Sequence, residues 1–172
     1  EGWSLEEGIV KAGSFSIEQG VGVRAINGEK TAFAYSDDIS LSALNAAAQA
    51  TRAVAASGGQ TPVAMRRTQP APALYRGDDP LASLDAAAKV ALLERIEAFA
   101  RAEDPRVTQV MASLAGTWEV ILVARSDGHL AADVRPLVRV SVTVIMEEGG
   151  RREQGSAGGG ARADYSLFDD QR

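Results

Sequence analysis

The 172-residue sequence contains no cysteine and only one histidine. The absence of cysteine excludes a disulfide framework, a thiolate nucleophile and a Cys-ligated zinc site. A zinc site would then need several carboxylates, and His129 sits in no His-Glu-x-x-His spacing. We interpret His129, beside Asp127-Gly128, as an exposed turn residue. The sequence therefore predicts no catalytic residue and no metal ligand in this chain.

Long apolar runs and an excess of positive charge are also missing. No segment approaches the roughly 20 apolar residues of a membrane-spanning helix. Asp and Glu number 23 against 18 Lys and Arg, which gives a net charge of −5. That balance argues against a nucleic-acid surface, which needs a concentrated basic face. We expect neither a membrane nor a nucleic acid as a partner.

The two ends of the sequence are typical of a fragment of a longer protein. The chain begins Glu1-Gly2-Trp3 with no initiator methionine, no basic segment and no apolar signal segment. It ends in residues 164–172 with several apolar side chains and no closing turn. We expect a cytoplasmic protein of which this chain is a fragment.

Glycine-containing turn signals separate segments of alternating polarity. The clearest are Asn27-Gly28, Asp127-Gly128 and Gly149-Gly150, each between two strand-like segments. Such pairs favour the positive φ angles of tight hairpin turns. Ala12-Gly13 and Ala115-Gly116 are weaker candidates of the same kind. Together they predict antiparallel hairpins and not a parallel sheet.

Two helices are predicted between the strand-rich halves. The first follows the cap residue Ser40 and stops at Gly58-Gly59; the second runs from about 83 to 102. The intervening segment 60–79 contains three prolines and is predicted to be extended and exposed. The apolar stripes are predicted to comprise Leu41, Leu44, Ala48, Thr51 and Ala55 on the first helix, and Leu84, Ala88, Leu92, Ile96, Phe99 and Ala100 on the second.

The order strands, two helices, strands predicts an α+β fold. We expect an antiparallel sheet of hairpins with the two helices packed on one face. Residues 1–172 are predicted to form a single domain, because a chain of this length can bury a sizeable core.

Two glycine-rich segments suggest phosphate binding only superficially. Residues 20–25 match a permissive dinucleotide fingerprint, but that turn must lead from a strand into a helix. Here it enters a strand, so we interpret the glycines as places of close approach. Residues 155–162 lack the Lys-Ser/Thr of a P-loop. They are either a mobile linker or a place where another chain must approach the backbone closely.

Several segments together resemble the amino-terminal domain of TldD-type proteins of the TldD/PmbA family, earlier labelled modulators of DNA gyrase. The most specific are GVGVRAINGEKTAFAYSD at 20–37 and DGHLAADVRPLVR at 127–139. The match spans essentially the whole chain, and its other segments are 3–11 and 156–162.

The resemblance implies a zinc metallopeptidase that hydrolyses unfolded or flexible peptides. Such proteins work with a PmbA-type paralogous subunit or as a homodimer. Their zinc-binding His-Glu-x-x-x-His helix lies in a carboxyl-terminal half, and this sequence has no such motif. No catalytic or metal residue is therefore carried over. Zinc is expected in the absent half, and the fragment alone is expected to be inactive.

The glycine run suggests where a peptide would bind. Strand addition to a sheet edge holds a peptide extended through main-chain hydrogen bonds. The candidate substrate-binding residues are Ser156, Gly158, Gly159, Gly160 and Arg162. The alternative function is a non-catalytic binding or assembly module of a heteromeric complex. Direct nucleic-acid binding ranks third because of the net charge.

Overall fold

The computed structural model describes residues 1–54, 66–67 and 73–168. The strands are β1 (Gly2–Glu6), β2 (Ile9–Ser14), β3 (Val21–Asn27), β4 (Lys30–Ser36), β5 (Arg66–Arg67), β6 (Val107–Ala124), β7 (His129–Glu148) and β8 (Arg151–Ala161). The helices are α1 (Leu41–Val54) and α2 (Ala86–Glu103), with short 3-10 helices at Pro80–Ala82 and Tyr165–Phe168. These elements confirm the α+β class.

The chain divides into two compact units. The larger comprises Glu1–Phe15 with Met65–Arg172, and the smaller comprises Ser16–Ala64. Each helix packs against the sheet of its own unit, α1 on β3 and β4 and α2 mainly on β6. The assignment of residues 1–172 to one domain stays a prediction.

The smaller unit is a hairpin with one helix. β3 and β4 pair antiparallel and close at Asn27 opposite Lys30. Only Gly28 in this turn has a positive φ, of 60°. The turn therefore lies one residue later than predicted, because Asn27 still belongs to the strand. Since β3 leads into β4 and not into a helix, the structural interpretation of the glycines at 20–25 is confirmed.

Helix α1 begins at the predicted cap. The Ser40 hydroxyl accepts a hydrogen bond from the Ala43 amide at 3.3 Å. Its buried residues are Ala47 and Thr51, whereas Leu41 is 73% exposed. The predicted stripe is right at Thr51 but wrong at Leu41, Leu44 and Ala48, which are exposed. Its last member, Ala55, lies outside the described residues. The predicted stop at Gly58-Gly59 lies outside the described residues.

The larger unit contains one mixed sheet. Its strand order is β2-β1-β6-β7, and β8 and the two-residue β5 both pair with β7. The long β6–β7 hairpin closes at Asp127-Gly128 as predicted. All pairings are antiparallel except β5 with β7, which is parallel at Arg66 opposite His129. The described part of the predicted 60–79 linker thus includes a short strand.

Helix α2 covers one face of this sheet. The core cluster comprises Leu5, Leu92, Leu93, Ala112, Leu114, Val138 and Tyr165. The predicted stripe is partly wrong, because Phe99 is 68% exposed while Lys89 and Glu97 are buried. The two charged groups are buried with partners. Lys89 pairs with Glu1 at 2.8 Å, and the Glu97 carboxylate accepts from the Gly8 amide at 2.6 Å.

Two predicted turns are in fact strand positions. Gly13 lies in β2 against the Trp3 ring, where an added Cβ would come within 2.8 Å of a ring carbon. Gly116 lies inside β6 under Tyr165. The first turn instead uses Glu7 and Gly8, with φ angles of 52° and 73°. Glycine at 13 and 116 therefore marks close packing by a neighbouring side chain.

The start of α2 gives a first testable prediction. The Asp85 carboxylate accepts from the Ala88 amide at 2.7 Å and caps the helix. Replacing Asp85 by alanine leaves that amide without its partner, and we expect a loss of about 1 kcal/mol in the free energy of unfolding. Urea unfolding measures it. Asp85→Asn keeps a side-chain acceptor, so its free energy of unfolding should stay close to that of the wild type. An equal loss of stability in the alanine and asparagine variants would contradict the capping role of Asp85.

Candidate functional site

Strand β8 is an edge of the larger sheet in the described part of the chain. It pairs with β7 from Glu148 opposite Arg151 to Val138 opposite Ala161, and no described strand pairs with its other side. Residues 151–160 are exposed. The glycine run is therefore a strand and not a linker. The outer side of β8, called the free edge below, presents main-chain groups that an extended chain can pair with.

The glycines of β8 serve different purposes. A Cβ on Gly158 would lie 2.7 Å from the Val140 carbonyl oxygen, and one on Gly160 would collide with the carbonyl of Val138. Both glycines are thus required by the pairing with β7. A Cβ on Gly159 would meet nothing within 4 Å. Among the candidate glycines, Gly159 alone is free of any packing requirement in the structure.

Around Gly158, the face of β8 away from α2 carries small side chains. Ser113 and Ser141 follow one another across β6 and β7, and Gly158 continues the row on β8. Ser156 lies on the same face, and its hydroxyl is 3.0 Å from that of Thr143. This face is therefore shallow next to the free edge.

The other face of β8 borders an apolar groove. The groove has a volume of about 560 Å³ and lies between the second half of α2 and strands β7 and β8. Its main lining residues are Ile96, Phe99, Val142, Val144, Met146 and Ala157. Successive side chains of a strand point to opposite faces. A chain added to the free edge would thus direct alternate side chains toward the apolar groove and toward the shallow face.

Arg162 leaves the end of β8 and joins a small polar cluster. Its guanidinium donates to the Pro136 carbonyl at 3.4 Å and lies 5.6 Å from the centre of the Tyr75 ring. The Asp133 carboxylate accepts from Arg135 at 2.7 Å and from the Tyr75 hydroxyl at 2.9 Å. These two hydrogen bonds, with Arg135 the larger cause, lower the pKa of Asp133.

The five candidate residues therefore lie on or directly after one strand. The sequence interpretation missed their neighbours Tyr75, Asp133, Arg135 and Arg139. The alternation of 133, 135 and 139 along one strand carried a signal, because positions two apart share a face. No sequence pattern could have pointed to Tyr75, because it is 58 positions from its partner Asp133.

The described residues offer no metal centre. In residues 1–54, 66–67 and 73–168, no group of three or more His, Cys, Asp or Glu side chains is placed to hold an ion. His129 begins β7, and its amide donates to the Asp127 carboxylate at 3.1 Å. This part of the chain therefore supplies no set of zinc ligands. None of the described helices is long and apolar enough to cross a membrane.

The sequence matches two family models. The first, described as PmbA/TldA metallopeptidase domain 1, matches residues 1–56. The second, described as the PmbA/TldA metallopeptidase central domain, matches residues 79–172. The match to a central domain covers more than half of the chain.

Three proteins with similar sequences carry a name from the same family. A Haemophilus influenzae protein named metalloprotease TldD homolog is 49% identical over 98% of this chain and 35% of its own length. Homologues of the same name from two Buchnera aphidicola strains are 43% and 40% identical, with the same coverage. The chain thus spans about a third of the length of these relatives.

Two solved structures share the fold. A Bacteroides thetaiotaomicron protein described as a modulator of DNA gyrase gives a TM-score of 0.71 at 15% identity, over 94% of this chain and 38% of that one. A Thermotoga maritima protein with a similar description gives a TM-score of 0.67 at 13% identity, over 94% of this chain and 37% of that one. The family models and the TldD homologues together show that this chain belongs to the PmbA/TldD metallopeptidase family.

Proposed function

We propose that this chain is the part of a zinc-dependent peptidase that receives a flexible peptide and presents it for cleavage. The observation that carries the proposal is the free edge of β8, exposed from 151 to 160 and unpaired on its outer side among the described strands. A peptide bond is cleaved most readily when its chain is held extended beside the reacting group. Strand addition to the free edge supplies that posture.

The chemistry of an edge suits unfolded or flexible peptides. Main-chain hydrogen bonds form with any sequence, whereas side-chain pockets select among sequences. Most extended segments of a folded protein are already paired within its own sheets and become available only through local unfolding. The substrate class we propose is therefore a flexible polypeptide, with the apolar groove receiving some of its side chains.

The remaining parts of the proposal lie outside this chain. The chain spans 35% of its relatives' length. We propose that the zinc and the catalytic groups lie in the portion of those proteins that this chain does not cover. The proposed assembly is with a PmbA-type paralogous subunit or a second copy, in the cytoplasm.

Gly159 provides the test. Gly159→Val in the full-length protein places a branched side chain beside the free edge, where the structure has open space. We expect kcat/KM for a flexible fluorogenic peptide to fall by about tenfold or more, the size of a lost positioning contact. The zinc content should stay unchanged.

The matched control is Ala131→Val on β7, an exposed strand position outside the residues that pair with β8. It adds a branched side chain away from the free edge and should keep turnover near the wild-type value. Equal turnover in wild type and Gly159→Val would contradict the role of the free edge.

A binding or assembly module is the second candidate function. Trp118, Val120 and Leu122 are 43%, 67% and 67% exposed, and as alternate residues of β6 they share one face. Grouped exposed apolar side chains are typical of protein–protein surfaces. Full-length protein that binds zinc yet hydrolyses no flexible peptide, alone or with its paralogue, would favour this candidate.

A further inference from the structure

Two arginines near the end of β8 have no acidic partner among the residues that the structure describes. Arg139 donates to the Ser141 hydroxyl at 3.2 Å, and Arg162 donates to the Pro136 carbonyl at 3.4 Å. Neither forms an ion pair within the described part of the chain, although both are exposed. Other exposed or half-buried arginines of the same unit, Arg106, Arg125, Arg135 and Arg152, each pair with a carboxylate. Arg139 and Arg162 are called the arginine pair below.

The arginine pair lies beside the free edge. Arg139 is on β7 directly opposite Gly160, and a Cβ on Gly160 would lie 3.2 Å from the Arg139 Cα. Because Gly158 and Gly160 have no side chains, no β8 side chain at these positions stands between Arg139 and the free edge. Arg162 follows β8 by one residue.

The acidic groups nearby are already engaged or lie farther away. Asp133 accepts from Arg135 and Tyr75, and Asp164 accepts from the Ser166 amide at 2.9 Å. Glu119 lies on β6, on the side of β7 away from β8. Among the described residues, the arginine pair is therefore a local surplus of two positive charges, in a chain of net charge −5.

We propose that the arginine pair binds carboxylate groups of the peptide added to β8, so that flexible segments with acidic residues at alternate positions are preferred. This inference rests on the proposed function and names its substrate class. Alternate side chains of an added strand point to the face that carries Arg139. A guanidinium matches a carboxylate with two parallel hydrogen bonds, which makes the contact both strong and directional.

The test compares two flexible fluorogenic peptides of equal length with the full-length protein. One carries glutamate at alternate positions, and the other carries glutamine there. We expect wild type to prefer the glutamate peptide, and Arg139→Gln with Arg162→Gln to lower kcat/KM for that peptide about tenfold. The glutamine peptide should change less than twofold. The preference should also weaken as salt is raised.

Arg106→Gln with Arg125→Gln is the matched control. Both arginines lie outside β8, and their side chains are 47% and 65% exposed. This double variant removes two positive charges, as the test variant does, and should leave the preference unchanged. An equal loss for both peptides, or a preference that survives in the double variant, would overturn the inference while leaving the proposed function intact.

Two further readouts separate this inference from the proposed function. Fluorescence anisotropy measures binding of the same labelled peptides without requiring cleavage. If wild type cleaves neither peptide, the proposed function fails, and selective loss of glutamate-peptide binding in the double variant still supports the arginine pair. If the double variant loses binding of a duplex DNA oligonucleotide but keeps its peptide preference, the arginine pair binds phosphates and the inference is overturned.

Discussion

Replacing Gly116 by valine is expected to lower the free energy of unfolding by about 3 kcal/mol or more, the upper range for an overfilled core. Gly116 is buried in β6, and a Cβ there would collide with the Tyr165 hydroxyl and lie 2.7 Å from a methyl carbon of Leu81. Tyr165 is fully buried and cannot move aside without losing its own contacts. Urea unfolding followed by circular dichroism measures the loss.

Gly159→Val is the matched control for this experiment. It adds the same side chain to a strand glycine, but into open space. The free energy of unfolding should change by no more than about 0.5 kcal/mol. Tyr165→Phe removes the nearest colliding atom, so the double variant with Gly116→Val should be less destabilised than the sum of the two single changes. Equal losses for the two glycines would contradict the packing argument.

Lys89→Met is the second change with a large expected effect. The Lys89 and Glu1 side chains are 4% and 11% exposed, and their charged groups lie 2.8 Å apart. Lys89 also donates to the Leu81 carbonyl at 2.7 Å, and Glu1 accepts from the Tyr165 hydroxyl at 3.1 Å. Removing the lysine leaves a buried carboxylate without its counter-charge. We expect a loss of about 3–5 kcal/mol in the free energy of unfolding.

A double variant tests whether the unpaired Glu1 carboxylate causes the loss of stability in Lys89→Met. Lys89→Met combined with Glu1→Gln removes both charges, so most of the stability should return. Arg76→Met breaks an ion pair whose side chains are 89% and 62% exposed, and it should cost less than about 0.5 kcal/mol. A double variant as unstable as Lys89→Met alone would show that burial of the methionine, and not the orphaned carboxylate, causes the loss.

Local chemistry predicted the hairpins well. Gly149 and Gly150 have φ angles of 58° and 79°, as a two-residue hairpin turn requires, and Asp127-Gly128 closes β6 onto β7. The Ser40 cap of α1 is also at its predicted place. These features depend on residues close together in sequence, whose backbone preferences act before any tertiary contact forms.

Predictions about which side chains are buried were less accurate. Helical spacing placed Phe99 in the core, yet it is 68% exposed and borders the apolar groove. Lys89 and Glu97 are buried because partners from the amino-terminal residue and the first turn neutralise or hydrogen-bond them. Helical periodicity predicts which apolar side chains share a face. It does not predict which charged side chains can be buried, because that depends on ion-pair and hydrogen-bond partners far away in sequence.

The sequence by itself determined the α+β class, the antiparallel hairpins and, through its resemblance, the family. Only the tertiary structure decided that the glycine run is the edge strand β8 and that Arg139 and Arg162 flank it. The physical reason is that glycine has no side chain to restrict its backbone, so the local sequence does not favour a strand over a loop. Its conformation is set by the strand that pairs with it. Long-range pairing between β7 and β8 supplied that information.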